Sequence, residues 1–446
     1  MNLSHFNKGG VKRRHFLKAI TSAAALSGLP AWYLESNPLQ AAENGGKDVR
    51  IALIGCGGQG RGVAKWASNF GKVVAVCDVD ESNAAKALEM FAGAKVFKDF
   101  RKVVDSKEVD VIVNGTPDHW HTLINLAAMN RGKDVYSEKP LTLTIDEGRR
   151  VVAAARKTGR ILQTGSQQRS DARFRLACEL VRNGRLGKLT EVESYLPAGP
   201  RRGPFNAAPV PPQLDWEFWQ GQTAKTEYVR EKCHSSFRYW WEYSGGTMTD
   251  WGAHHNDIAL WGMGLERSGP ITVEGRPLVE MIPGGFTASS EYEVVYTYAN
   301  GVKQICRSVA NNRPDGSLAT PVEQGKFGHG VRFIGPEGWI FVTRGKIEAS
   351  KPELLSTPLG SDATKLYTSD DHMKNFMECV KSRKQPICEA EIGHRSVSVC
   401  HLGVIAMRLG RKLQWNPEKE QFEGDAEAQG HVAREMRKPY DYESMA

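Results

Sequence analysis

Short apolar runs open the folded part of the chain. Residues 49–54, 72–77, 109–114, 134–136 and 161–164 are largely apolar stretches of three to six residues, each followed by turn residues. Runs this short and unbroken predict strands buried on both faces. Helices are predicted between them, at about 61–69, 121–131 and 145–157, with Thr144 and Glu147 as a capping box for the last. Alternating strands and helices make a parallel sheet covered on both sides. The pattern changes after residue 167. A helix is predicted at 171–183, closed by Gly184, and residues 198–236 read as long loops rich in proline, glycine and aromatics. Strands dominate from 270 to 350. Residues 292–298 and 303–308 flank Asn300-Gly301, and residues 331–334 and 339–343 flank Gly335-Pro336-Glu337-Gly338, so two hairpins are expected. Helices at 371–381 and 396–409 follow. The predicted class is α/β: a parallel-sheet half, then an α+β half with an open, mostly antiparallel sheet.

The first 42 residues follow another logic. Lys12-Arg13-Arg14-His15-Phe16-Leu17-Lys18 is followed by small and apolar residues to Leu34, then by Leu39-Gln40-Ala41-Ala42. A basic region, an apolar region and a small-residue cleavage site in that order read as a secretory leader. The paired arginines resemble a twin-arginine (Tat) signal, although Lys12 stands where such signals usually carry Ser or Thr. The expected location is therefore periplasmic, or otherwise exported by the Tat pathway. Residues 1–42 hold five Lys/Arg and one acid, so they carry +4 of the chain's net +8. Half the basicity is leader, and a nucleic-acid partner loses its support. No apolar run is long enough to span a membrane. The eight cysteines form no CxxC pair, which argues against a zinc ribbon. A chain folded in the reducing cytoplasm before export would keep them unpaired.

The strand at 49–54 runs into Gly55-Cys56-Gly57-Gly58-Gln59-Gly60. Strand, G-x-G-x-x-G and helix together are the context of a Rossmann dinucleotide site. Gly55 permits the turn, Gly57 lets backbone approach a pyrophosphate, and Gly60 lets helix pack on strand. Asp78 ends the second strand, 18 residues beyond Gly60. A carboxylate there binds the ribose hydroxyls and repels a 2′-phosphate, so NAD is expected rather than NADP. Arg61 is the nearby cation that keeps NADP open.

Two motifs follow at carboxyl ends of parallel strands, where ligands bind in such sheets: Thr116-Pro117-Asp118-His119-Trp120-His121 and Glu138-Lys139-Pro140. Farther on lies Gly245-Gly246-Thr247-Met248-Thr249-Asp250-Trp251-Gly252-Ala253-His254-His255-Asn256-Asp257. With these motifs the chain, over about residues 47–415, resembles the glucose–fructose oxidoreductase/inositol dehydrogenase (Gfo/Idh/MocA) family. The resemblance implies hydride transfer between a bound nicotinamide and a sugar or cyclitol carbon. It places Lys139 at the family's catalytic lysine, and Asp250 and His254 at its aspartate–histidine pair. Asp118 stands where the family more often has Asn. The residues make chemical sense independently. His254 titrates near neutrality and suits a general base. Asp250, four residues earlier, can share its helical face, and Lys139 can stabilise an alkoxide.

Thr116, Pro117, His121, Glu138 and Lys139 join the glycine loop and Asp78 as expected cofactor contacts. His119, Gln168, Arg169, Tyr239, Trp240 and His255 are expected at the substrate, with Gln167 beside them. Aromatics cover the C–H faces of sugars, but core packing or a dimer interface explains Trp216, Trp219 and the 237–243 segment equally well. His119, His121, His254, His255 and Asp257 invite a metal reading, yet nothing in their spacing converges, and no metal is expected. An exported dehydrogenase meets no soluble NAD pool. A resident dinucleotide would then either pass hydride between sugars or support a redox-neutral glycosidase cycle. A non-catalytic NAD-binding sensor is the third reading. The expected segments are 1–42 leader, 47–167 dinucleotide domain, 168–415 substrate and oligomerisation domain, and 416–446 polar tail. A homo-oligomer is expected.

Overall fold

The structure is a computed structural model and describes residues 27–37, 49–308 and 329–445. The paired arginines and the expected cleavage residues Ala41 and Ala42 lie outside them.

Six strands form the first sheet: β1 (Arg50–Ile54), β2 (Lys72–Cys77), β3 (Lys95–Phe97), β4 (Val111–Asn114), β5 (Asp134–Ser137) and β6 (Leu162–Thr164). They are parallel, in the order β3-β2-β1-β4-β5-β6. The order reverses between β1 and β4, and the crevice at that switch point is where dinucleotides bind. β1, β4 and β5 are buried on both faces, hence their unbroken apolar sequence. The short β3 escapes the sequence pattern because it is an edge strand with Lys95 and Val96 exposed. The capping box of Thr144 and Glu147 starts the helix Ile145–Thr158.

The second sheet has nine strands: β7 (Glu191–Leu196), β8 (Thr272–Pro277), β9 (Tyr292–Thr297), β10 (Lys303–Ser308), β11 (Gly330–Gly335), β12 (Gly338–Thr343), β13 (Lys346–Ala349), β14 (Leu413–Asn416) and β15 (Gln421–Phe422). Both expected hairpins, β9–β10 and β11–β12, are present. Every pairing is antiparallel except β7 with β10. Burial alternates along β9 and β10, so one face meets the core and the other is open. Helices Ala172–Arg182, Gly252–Met263 and Ala390–Leu409 pack against this sheet. The open face bears a row of alternating charge across five strands. Arg276 pairs with Glu293 (3.1 Å), Arg307 with Glu293 (2.7 Å) and Glu193 (3.7 Å), and Arg332 with Glu193. Opposite charges on adjacent strands stabilise each register.

Two terminal segments differ from expectation. The last 30 residues do more than cover surface. Val432 O accepts the Asp146 N–H (3.0 Å), Arg437 N–H binds Gln222 O (2.8 Å), and Tyr440 stacks on Phe218 with its edge to Trp120. The tail thus ties the two halves together. Within the expected leader, the helix Ala31–Ser36 packs on the second half. Tyr33 is fully buried, its hydroxyl accepting from Arg175 Nε (2.8 Å), and Leu29 and Leu34 join the apolar cluster of Phe174 and Leu354.

Candidate active site

The glycine loop bends at Gly55 (φ +87°), where a Cβ would lie 2.5 Å from the Gly115 backbone. A Cβ on Gly60 would lie 2.0 Å from Gly55 O, so only glycine lets the helix Gly58–Ala67 sit this close to β1. Gly57 and Gly58 have no atom within 4 Å of a Cβ position. They face a cavity of about 460 Å³ lined also by Gln59, Asp78, Thr116 and Pro117. Open space over the main chain at a helix N-terminus is what a pyrophosphate requires. Asp78 Oδ2 accepts from Cys56 N–H (2.7 Å) and Oδ1 from Asp80 N–H (2.8 Å). A carboxylate offers about four lone-pair sites, which leaves two for ribose hydroxyls. Burial pushes the Asp78 carboxyl up to about 6. Arg61 is occupied, donating to Cys56 O (2.5 Å). The residues fit NAD.

A strap closes one side of this cavity. Leu214 bridges Asp80, Glu81 N–H binds Gln213 O (3.0 Å), and Asp215 N–H binds Val79 O (3.0 Å). Phe218, Trp219, His234 and Phe237 then line the cavity together with the glycine loop. The strap was missed in sequence because its loop has no periodicity. Its aromatic content was the available signal.

At the far wall Arg238 lines the cavity and pairs with Asp250 (3.4 Å). The Lys139 ammonium, at the carboxyl end of β5, bonds Asp250 Oδ1 and Asp250 O (3.2 Å). Burial would raise the Asp250 carboxyl, but Lys139 and Arg238 hold it below the usual range. His254 is nearly buried, and its Nδ1 has no hydrogen-bond partner among the described residues. Burial, then the Lys139 and Arg344 charges, push the imidazole well below its ordinary value, so it is neutral at pH 7. Lys139, Asp250 and His254 are therefore brought together. Glu138 braces the loop, accepting from Gln59 Nε2 (3.1 Å) and Gln167 Nε2 (3.4 Å).

Several expected ligand contacts prove internal. His121 faces the carbonyls of Pro140 (2.7 Å) and Thr116 (2.8 Å) with its two ring nitrogens, clamping the two motif turns together. His119 contacts Trp219 O (2.8 Å) and packs on Tyr243, and burial lowers it to about 3. Arg169 makes a two-pronged ion pair with Asp257 (2.7 Å for each bond), wholly buried, and is not free for a substrate. Trp240 is buried with its indole N–H on Glu231 O (2.8 Å), and Trp216 stacks on Trp219 within the same aromatic cluster. His255 is buried against His329, Nε2 to Nδ1 at 3.1 Å, with Gln168 on its other nitrogen at 3.5 Å. Tyr239 remains half-buried, and burial, then the Asp250 charge, push its hydroxyl above the ordinary value. Asp118, buried, accepts from Ser244 Oγ, which steadies the Ser244–Gly246 turn leading to Asp250, and burial lifts it to about 7. Among the described residues no three His, Cys, Asp or Glu side chains form a group that could hold a metal. Arg344 and His329 were not singled out in sequence, because nothing local marks them; Arg238 was marked only as a member of the 237–243 segment.

Comparison with known proteins agrees with this two-part fold. Residues 49–166 match the model "Oxidoreductase family, NAD-binding Rossmann fold", and residues 201–442 match "Oxidoreductase family, C-terminal alpha/beta domain". Inositol 2-dehydrogenase 2 of Saccharopolyspora erythraea is 34% identical over 150 residues, 33% of this chain and 44% of that protein. The chain therefore spans less than half the length of that curated relative. The scyllo-inositol 2-dehydrogenase (NAD(+)) of Bacillus subtilis is 24% identical over 354 residues, 76% of this chain and 88% of that protein. Two solved structures share the fold. The WlbA dehydrogenase from Bordetella pertussis, in complex with NADH and UDP-GlcNAcA, has TM-score 0.61 at 18% identity, covering 83% of this chain and 99% of its own. The aldose-aldose oxidoreductase from Caulobacter crescentus, complexed with glycerol, has TM-score 0.60 at 18% identity, covering 82% and 99%. With both halves matched and a cavity fitted to NAD, the chain belongs to the Gfo/Idh/MocA oxidoreductase family.

Proposed function

We propose that the protein transfers hydride between a tightly held NAD and a secondary alcohol of a sugar, glycoside or cyclitol. One observation carries this: a neutral His254 with an unpartnered Nδ1 stands close to the Lys139–Asp250 pair, and Asp250 in turn pairs with Arg238, which lines the dinucleotide cavity. Bound NAD supplies the hydride acceptor or donor. His254 takes the hydroxyl proton, for which a neutral imidazole is required. Lys139 has three N–H donors. Two meet Asp250, and the third can bond the reacting oxygen and stabilise its developing charge. Asp250 fixes the ammonium in place. Support also comes from the inositol dehydrogenase relatives and the sugar-binding neighbours. A panel of sugars and cyclitols, read by reduction of bound nicotinamide and by product, tests the reading. Normal turnover by His254→Ala would overturn the assigned base.

A second reading is favoured by the strap. Main-chain bonds tie residues 213–215 to residues 79–81, and Phe218 and Trp219 just after them line the cavity. A dinucleotide behind it would exchange slowly and be recycled in place, as a Tat-exported enzyme outside the NAD pool requires. The net reaction then passes hydride from one sugar to another, or oxidises transiently, cleaves and reduces again. Purified protein free of dinucleotide by absorbance and mass spectrometry would overturn residence. The open sheet face is our proposed homo-oligomer contact, checked by light scattering.

A further inference from the structure

We propose that the preferred substrate is an acidic sugar whose carboxylate is held by Arg344. The inference rests on the sugar-oxidation reading and adds the chemical class of the sugar.

Arg344 lies in the turn between β12 and β13. Its guanidinium carbon is 5.0 Å from the centre of the Trp251 ring, and Trp251 lies 6.3 Å from His254, ring to ring. Trp251 thus holds the cation at the edge of the site by a cation–π contact. The neighbouring strands treat their arginines differently. Arg276, Arg307 and Arg332 each bind a glutamate. Arg344 has no carboxylate partner among the described residues, although no rule of turn geometry calls for arginine there.

The charge around the reacting position is also lopsided. Lys139 and Arg238 share Asp250, and Arg344 adds a third cation. Of the other acids close by, Asp118 accepts from Ser244 and is lifted by burial to about 7, and Glu138 accepts from Gln59 and Gln167. Burial first, and the Arg344 charge after it, oppose proton uptake at His254, His255 and His329. An unneutralised cation there weakens the base that the reaction needs. A substrate carboxylate on Arg344 would cancel that field and strengthen His254 only when substrate is bound. The rest of the sugar would then lie beside Trp251, with the oxidised carbon toward His254. Guanidinium and carboxylate match as planar two-pronged partners. A sugar sulfate offers the same negative oxygens without the planar fork.

The test uses the full chain loaded with NAD. Glucuronate and galacturonate are compared with glucose, galactose, myo-inositol and glucose 6-sulfate, by the single-turnover rate constant for reduction of bound NAD divided by the sugar's Kd, in wild type and Arg344→Gln. The uronates should exceed their parent aldoses at least tenfold, and Arg344→Gln should shrink that ratio by about 10- to 100-fold, the range of a charged hydrogen-bond pair. Arg344→Lys should restore part of it, and added salt should erode it. An unchanged melting temperature and dinucleotide content exclude misfolding of the variants. Equal or better turnover of the neutral aldoses, with a ratio indifferent to Arg344→Gln, overturns the proposal and leaves sugar oxidation standing. A preference for the sulfate over the uronates overturns the carboxylate. Failure of every sugar to reduce the bound NAD overturns the sugar-oxidation reading itself.

Discussion

The two ends of the candidate site are built from different material. At the glycine loop the contacts offered to a ligand are mostly main chain: the helix N-terminus at Gly58, the turn at Gly55, and a carboxylate at Asp78 that is itself braced by two backbone N–H groups. At the other end they are side chains drawn from distant places. Lys139 follows β5, Asp250 and His254 come from 111 and 115 residues later, and Arg344 comes from a hairpin of the second sheet. Main-chain sites depend on local conformation and tolerate change only where the backbone does. Side-chain sites depend on packing between elements, so the same fold can host different substrates. The predictions below probe where that division holds.

The largest effect is expected at the side-chain end. His254→Ala should lower kcat by about 10²- to 10⁴-fold, the usual contribution of a general base, while dinucleotide content stays as in wild type. A joint loss of turnover and cofactor would blur the division. Gly60→Ala should do the reverse and strike the main-chain end. Its Cβ meets Gly55 O at 2.0 Å, so the loop must open. Dinucleotide binding, read by absorbance of the purified protein, should be lost, and full retention would show that the third glycine is dispensable.

Next comes the buried pair of Arg169 and Asp257. Removing one partner strands a buried charge, at a cost of about 3–5 kcal/mol. Asp257→Ala should therefore lower the urea midpoint strongly. A raised KM with an unmoved midpoint would instead restore Arg169 to the substrate. Deleting residues 1–42 exposes the pocket of Tyr33, Leu29 and Leu34. A chain beginning at residue 43 should be less stable than one beginning at residue 27 by on the order of 2 kcal/mol, burial offset by ordering entropy. Equal melting would show that the helix Ala31–Ser36 adds nothing to the fold.

The smallest effect is a pH dependence. Asp118 is lifted to about 7 in the fold from an ordinary 3.8. The folded state then binds the proton more tightly than the unfolded state, so stability is greatest at low pH and falls as pH rises from about 4 to 7. Asp118→Asn cannot ionise and still offers Ser244 an acceptor. Its stability relative to wild type should rise across that window, by on the order of 2 kcal/mol at pH 8, and urea unfolding at pH 5 and pH 8 reads it. A difference independent of pH would mean that Asp118 is ionised at a normal pKa.

The parallel sheet, its glycine loop and the Asp78 position were all readable, because each rests on local signals: short apolar runs, a turn only glycine can make, an acid at a strand end. The hairpins at Asn300-Gly301 and Gly335–Gly338 were readable for the same reason. Lys139, Asp250 and His254 were found through motif resemblance, and the structure shows them adjacent. Sequence could not separate ligand-facing from internal members among the polar residues nearby. Arg169, His119, His121 and His255 all look available for chemistry until their partners are known, and those partners lie from 5 to 100 residues away.

By itself, then, the sequence determined the two-part architecture and the dinucleotide site, because hydrophobic period and turn chemistry act over a few residues. Only the tertiary structure decided which polar side chains were spent on each other. It tied Arg169 to Asp257, left Arg344 without a carboxylate among the described residues, drew the strap over the cavity and buried Tyr33 within the expected leader. Those outcomes depend on which distant groups meet in a low-dielectric interior, where an unpaired polar group is costly, and no local pattern records that meeting.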